Sequence, residues 1–381
     1  MNVLRVRHLE NALIHWDRSR IVVDLPKTSL DSHLRSYFKA HKTKLSVDDK
    51  EWLSDKTKEI VRWRDLIRHF TPGPVTVSSE LRTFFGNDAW RSYSNSKTLP
   101  EAVRLSMPES LFEILEKHFG KEKAVFIGSV WNEVSPTFVR VNTLVDDRDR
   151  LIKHLALRGI VAEKTLHSTL GLKLVRSSSV SALPELCEHA FDIQDESCQI
   201  VGLQMLVKPG DKALDYCAGS GGKSLVFAPC LNGKGHLFLH DINLRYLVQA
   251  RRKLGNSRIR NFTTSIANIS KKSMDWILLD VPSTGSGQYR RYPERKYLFT
   301  PSQLELTIQK QREIFQSALP FLKKTGGKIV YATASILPDE NMKQVEYFCH
   351  THKMYLSGDP VHSLPQSHGM DGFFAATLEF H

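Results

Sequence analysis

Cysteine is scarce in this chain of 381 residues: there are five, Cys187, Cys198, Cys217, Cys230 and Cys349. They are scattered and odd in number, and none form a Cys-x-x-Cys pair. This argues against a disulfide framework and against a structural zinc. His362, His368 and His381 show no metal-ligand spacing, so no metal is expected. No apolar run approaches the ~20 residues that a membrane-spanning helix needs. The opening Met1-Asn2-Val3-Leu4-Arg5-Val6-Arg7 lacks the apolar stretch of a secretory signal. The expectation is a cytoplasmic monomer with no membrane partner. Internal repeats and low-complexity tracts are also missing, which excludes a solenoid.

Positive charge, by contrast, is plentiful. Lysine and arginine number 53 against 41 acidic residues, a formal net charge of +12. Such an excess suits a polyanionic partner, because neutralising phosphates drives nucleic-acid binding. The length allows two or three domains.

Residues 1–95 read as a helical domain. Ser46 and Asp49 make a capping box, and Ile60, Trp63, Ile67 and Phe70 recur at helical spacing. Arg62, Arg64 and Arg68 then fall on the solvent face, and Trp16 in the core. Residues 100–190 read as a small α/β unit, with a strand at Phe138–Asn142 and a helix over 148–158. Residues 191–381 read as repeated strand-then-helix units, which predict a mostly parallel sheet. A helix after residue 300 carries Pro301 at its first position, a kink at Pro320 and an end at Gly326-Gly327.

Asp215-Tyr216-Cys217-Ala218-Gly219-Ser220-Gly221-Gly222-Lys223-Ser224 follows a strand and precedes a helix. Its glycines permit a tight turn and close backbone approach to a ligand. Asp241 ends the next strand about 20 residues on, where a carboxylate can meet ribose hydroxyls. The spacing is neither that of a dinucleotide fingerprint nor that of a P-loop. This turn resembles the S-adenosylmethionine loop of the Nop/Sun group of RNA cytosine-5 methyltransferases, bacterial ribosomal RNA methyltransferase B type. The likeness extends through Arg140-Val141-Asn142, Gln194-Asp195-Glu196-Ser197, Arg290-Arg291-Tyr292-Pro293, Pro338-Asp339-Glu340-Asn341 and His368-Gly369-Met370-Asp371-Gly372.

The resemblance implies a Rossmann-like class I methyltransferase domain, preceded by a small α/β RNA-recognition-like unit and an N-terminal helical domain. It implies S-adenosylmethionine held by Cys217, Ala218, Gly219, Gly221, Gly222, Lys223, Asp241 and Asp280. Asn268 stands in for the acid that is usual near the adenine and completes the cofactor-binding set. It also implies ribosomal RNA as partner. Arg290, Arg291 and Arg295, with Tyr289, Tyr292 and Tyr297 interleaved, suit phosphate contact and base stacking.

In that family a cysteine thiolate adds to carbon 6 of cytosine and so activates carbon 5. A carboxylate, here Asp280, holds the base edge, and a second cysteine helps release the product. Both thiols are missing: Ser283 follows Pro282, and Ala334 follows Thr333. Three readings stay open. The chain could methylate an exocyclic nitrogen, which needs no adduct. It could be a non-catalytic RNA-binding or assembly protein. It could support an active partner subunit.

Overall fold

A computed structural model of the protein describes residues 3–21, 29–86, 89–175, 189–267 and 269–381. Two compact units result: Met1–Val134 with Tyr289–Pro301, and Ser135–Gln288 with Ser302–His381. Among the described residues no helix is long and apolar enough to cross a membrane.

The first unit is helical. Its helix Val47–Arg62 opens on the expected capping box: Ser46 Oγ accepts from Asp49 N–H at 3.1 Å, and the Asp49 carboxylate accepts from Ser46 N–H at 3.0 Å. Leu9, Leu13, Trp16, Leu53, Ile60 and Ile67 share its core. Trp63 breaks the helix, and a second one, Arg64–His69, begins directly after it. Two arginines depart from the expected solvent face. Arg62 and Arg64 are buried, and Arg62 donates to the Arg290 carbonyl at 3.0 Å. Carboxylates from two other helices compensate Arg64, which donates to Asp17 at 2.6 and 2.5 Å and to Glu80 at 2.9 Å.

The segment Tyr289–Pro301 belongs to this helical unit. The Lys296 amino group is fully buried and donates to the Arg62 carbonyl at 3.0 Å and to Asn132 Oδ1 at 2.8 Å. Helices Glu101–Arg104, Glu109–Phe119 and Lys121–Trp131 also lie in this unit, so the boundary expected near residues 95–100 falls inside it.

Among the described residues the second unit holds two sheets. Strands β1 (Thr137–Val141), β2 (Ala162–Lys164), β3 (Gly171–Leu174) and β4 (Phe191–Ile193) form an antiparallel sheet in the order β2-β3-β1-β4. Val139, Val141 and Leu172 pack on Leu151 and Leu155 of helix Arg148–Ala156.

The larger sheet comprises β5 (Lys212–Asp215), β6 (His236–Leu239), β7 (Phe262–Thr263), β8 (Trp276–Asp280), β9 (Lys328–Thr333), β10 (Met354–Leu356), β11 (Val361–Ser363) and β12 (Phe373–Phe380). Its order is β10-β12-β9-β8-β5-β6-β7, with β11 paired to β12. Strands β5 to β9 run parallel, and β12 is antiparallel to β9. This is the Rossmann-like fold that the sequence led us to expect. Trp276-Ile277-Leu278-Leu279 of β8 are buried in succession, as in a strand covered on both faces. The chain winds from β5 outward to β7 and returns on the other side as β8. The carboxyl ends of β5 and β8 therefore flank the switch point where such sheets bind ligands.

Pro320 does not kink the helix after residue 300. That helix, Pro301–Ala318, stops before it, and Pro320 sits in the 3-10 turn Leu319–Phe321. Proline lacks the N–H and collides with the carbonyl four residues back, so termination replaces the expected bend.

Candidate functional site

The glycine turn lies directly beyond β5. Its backbone is pinned by both neighbouring strands: Tyr216 N–H donates to Leu278 O at 3.0 Å, and Ala218 N–H donates to His240 O at 2.9 Å. Gly219 and Gly221 take φ of +51° and +79°, a region that side chains disfavour. A β-carbon at Gly221 would also crowd Ala250 at 3.1 Å, whereas the space beside Gly219 is open.

Asp241, two residues past β6, is oriented from two sides. One carboxylate oxygen accepts from Gly219 N–H at 2.9 Å, the other from Asn243 N–H at 2.7 Å. Lys223 Nζ lies 2.5 Å from Asp280 Oδ2 at the end of β8. Burial alone would lower this lysine, but the Asp280 carboxylate more than reverses that and holds it above its ordinary value. Asp215 is buried at the base of the turn. Burial first, then the Asp280 charge, pushes it up to about 7 against the opposing Ser224 hydroxyl bond at 2.6 Å. Its Oδ1 has no hydrogen-bond partner among the described residues.

The open space at Gly219, the oriented Asp241 carboxylate and the place at the switch point fit a nucleoside cofactor. The structure brings Cys217, Ala218, Gly219, Gly221, Gly222, Lys223, Asp241 and Asp280 into one sheet end. Asn268 lies outside the described residues.

Ser283 and Ala334 leave adjacent strands. Asp280 of β8 stands opposite Ala332 of β9, and Val281 N–H donates to Ala332 O at 3.0 Å. The two loops stay joined beyond the strands, for Gly287 N–H donates to Ala334 O at 2.9 Å. Ser283 Oγ accepts from Gly285 N–H at 3.3 Å, and among the described residues no histidine, lysine or carboxylate bonds to it. A serine without a base is a weak nucleophile. Among the described residues, two thiols feel the Asp280 charge, Cys198 and Cys217. Burial pushes both up, so neither is a thiolate at neutral pH.

Glu340 was legible in the sequence only as part of a motif. Its carboxylate accepts from Thr284 N–H at 2.8 Å, Thr284 Oγ1 at 2.6 Å and Gln311 Nε2 at 3.1 Å, and from the Ser335 hydroxyl. One buried acid thus ties the loop after Ser283 to the loop after Ala334. Tyr331 and Asn341 extend the network, with Asn341 accepting from Thr333 Oγ1 at 2.6 Å. No charge or periodicity signal could have found it, because the partners lie up to 56 residues apart.

The basic run is placed differently from expectation. Arg290 is 0% exposed, inside the helical unit, so it does not present a guanidinium at the surface. Tyr289 is buried too, edge-on to Trp131 at 4.8 Å. This segment packs as part of a core, and local composition does not reveal that. Arg291 and Arg295 are half-buried, and the Arg295 guanidinium lies 4.6 Å from the Tyr292 ring centre.

Residues 203–379 match the model of the family described as 16S rRNA methyltransferase RsmB/F. The chain is 31% identical over 291 residues to the ribosomal RNA small subunit methyltransferase B of Photorhabdus laumondii, covering 71% of this chain and 66% of the relative. It is 26% identical over 298 residues to the probable ribosomal RNA small subunit methyltransferase B of a Synechocystis strain, covering 72% and 67%. The chain therefore spans about two thirds of the length of these relatives. Among solved structures, PH0851 superposes with a TM-score of 0.78 at 20% identity over 98% of each chain. NSun6 from Pyrococcus horikoshii with SFG gives 0.63 at 20% identity, over 71% of this chain and 98% of that one.

Proposed function

Because the chain belongs to the 16S rRNA methyltransferase RsmB/F family, we propose that it binds S-adenosylmethionine and ribosomal RNA without forming a thiol adduct with cytosine. The observation that carries this reading is an ordered glycine turn with two oriented carboxylates beside two loops without thiols. Lys223, Asp241 and Asp280 are oriented by bonds within one sheet end, while Ser283 and Ala334 leave the paired strands β8 and β9.

Gly219 would admit the cofactor close to the backbone, and Asp241 would accept from its ribose. Lys223 would be held away from bulk water by its ion pair. When bound, S-adenosylmethionine supplies an activated methyl group. Asp280 would accept from the amine edge of a base. Ala334 offers no group that could add to carbon 6, and among the described residues no base bonds to Ser283 to activate it. The protein would act in the cytoplasm as a monomer, with Arg291 and Arg295 among its phosphate contacts.

A second reading rests on Asp280. A carboxylate that accepts from an exocyclic amine would also position that nitrogen for methylation, and this needs no adduct. Incubating the protein with small-subunit ribosomal RNA and methyl-labelled cofactor, followed by nucleoside analysis, separates these readings. RNA binding with no label in 5-methylcytosine is expected. Label in an N-methylated base would support the second reading, and label in 5-methylcytosine would overturn the proposal.

A further inference from the structure

The segment Leu244–Arg260 carries Arg245, Arg251, Arg252, Lys253, Arg258 and Arg260 and no acidic residue. It forms the helix Leu244–Asn256, which starts three residues beyond Asp241, and the turn leading to β7. Leu247, Ala250 and Leu254 are buried against the core of the second unit. Helical spacing then puts Arg245 and Arg252 on the opposite face, with Val248 between them. Arg245, Arg251, Arg252, Arg258 and Arg260 are all exposed. Among the described residues no ion pair joins Arg245, Arg258 or Arg260 to a carboxylate. Arg251 donates to Thr264 Oγ1 at 2.9 Å, and Lys253 pairs with Asp192 at 3.0 Å.

Apolar side chains are interleaved with this charge. Ile242, Leu244 and Val248 are 89%, 73% and 70% exposed, and Tyr246 is exposed beside them. A solvated helix face ordinarily mixes both signs of charge and keeps such residues inside. One-signed arginines with exposed apolar and aromatic groups match single-stranded or splayed RNA, which offers phosphates and unstacked bases together. An acidic protein would match the charge, but planar guanidiniums suit phosphate best.

We propose that the exposed face of Leu244–Arg260 is a contact surface for the backbone of the RNA, adjoining Asp241 of the cofactor frame. This inference rests on the reading of the protein as an RNA-binding member of its family.

The test compares the parent, the triple variant Arg245→Gln, Arg258→Gln, Arg260→Gln, and the matching triple lysine variant. Each is titrated with a small-subunit ribosomal RNA transcript across a salt series, with thermal melting as the check on folding. Each lost phosphate contact should flatten the log–log salt dependence by about 0.7–0.9. The glutamine variant should therefore fall by about 2–3 units in slope and bind at least roughly tenfold more weakly at low salt. The lysine variant should keep the parent slope, and all three should melt alike. A glutamine variant with the parent's affinity and slope overturns the surface. So does unchanged RNA binding combined with loss of an acidic protein partner. If the parent itself binds no RNA, the proposed function fails first.

Discussion

Lys223 Nζ and Asp280 Oδ2 meet at 2.5 Å across the switch point of the sheet, joining the turn after β5 to the end of β8. The pair is largely shielded, with side-chain exposures of 16% and 28%. It fixes the turn after β5 and the end of β8 relative to each other, and removing one partner leaves a poorly solvated charge. Lys223→Met is expected to cost about 2 kcal/mol of unfolding free energy and to weaken S-adenosylmethionine binding, measured by urea denaturation and calorimetry. Unchanged cofactor affinity would show that the pair is only structural.

Restoring thiols should restore chemistry, because the loops that would carry them are still held in place by Glu340. Ala334→Cys is expected to trap a covalent protein–RNA complex on a denaturing gel. Adding Ser283→Cys should release it and yield 5-methylcytosine. No adduct from either variant would mean that the loops no longer present a base.

Two buried groups predict opposite pH trends. Asp215, pushed up to about 7, favours its protonated form in the fold. Its contribution is complete below the ordinary carboxylate range near pH 4 and is lost as the pH rises to about 7. Asp215→Asn should therefore gain roughly 2 kcal/mol on the parent between pH 5 and pH 8. Urea midpoints at both pH values would check this, and parallel curves would refute it.

Lys296 behaves in the reverse sense. Burial first, then Arg62, pushes it down to about 7, with Asp65 opposing. The fold favours the neutral amine, so its contribution is present above about pH 10 and is lost as the pH falls to about 7. Lys296→Met should flatten the rise in stability of the helical unit across that window. A rise of the same size in the variant would assign it to other groups.

A β-carbon at Gly287 would stand 2.0 Å from the Gly372 carbonyl oxygen and 2.9 Å from that of Ala334. Neither oxygen can retreat, because Gly287 bonds to both loops through its own N–H and C=O. Gly287→Ala is expected to cost at least about 2 kcal/mol in urea unfolding. A neutral effect would contradict the packing of these loops.

The capping box at Ser46, the strand around Val139 and the parallel strands β5, β6, β8 and β9 were legible because local rules governed them. Capping chemistry, alternation and buried apolar runs act over a few residues. The glycine turn and Asp241 were legible because they flank predictable strands. Arg62, Arg64 and Arg290 were misplaced for one reason. Charge was read as solvent exposure, yet Asp17, Glu80 and the Arg290 carbonyl accept from the two helical guanidiniums across long separations in sequence. Glu340 stayed hidden because its partners come from three separate segments.

The proposed function stands on S-adenosylmethionine binding beside loops that carry no thiol. Calorimetric titration of the purified protein with S-adenosylmethionine, alone and with small-subunit ribosomal RNA, measures this binding. Saturable binding at a single site is expected, abolished or strongly weakened by Asp241→Ala. No binding heat under either condition would contradict it and leave only the RNA-binding fold.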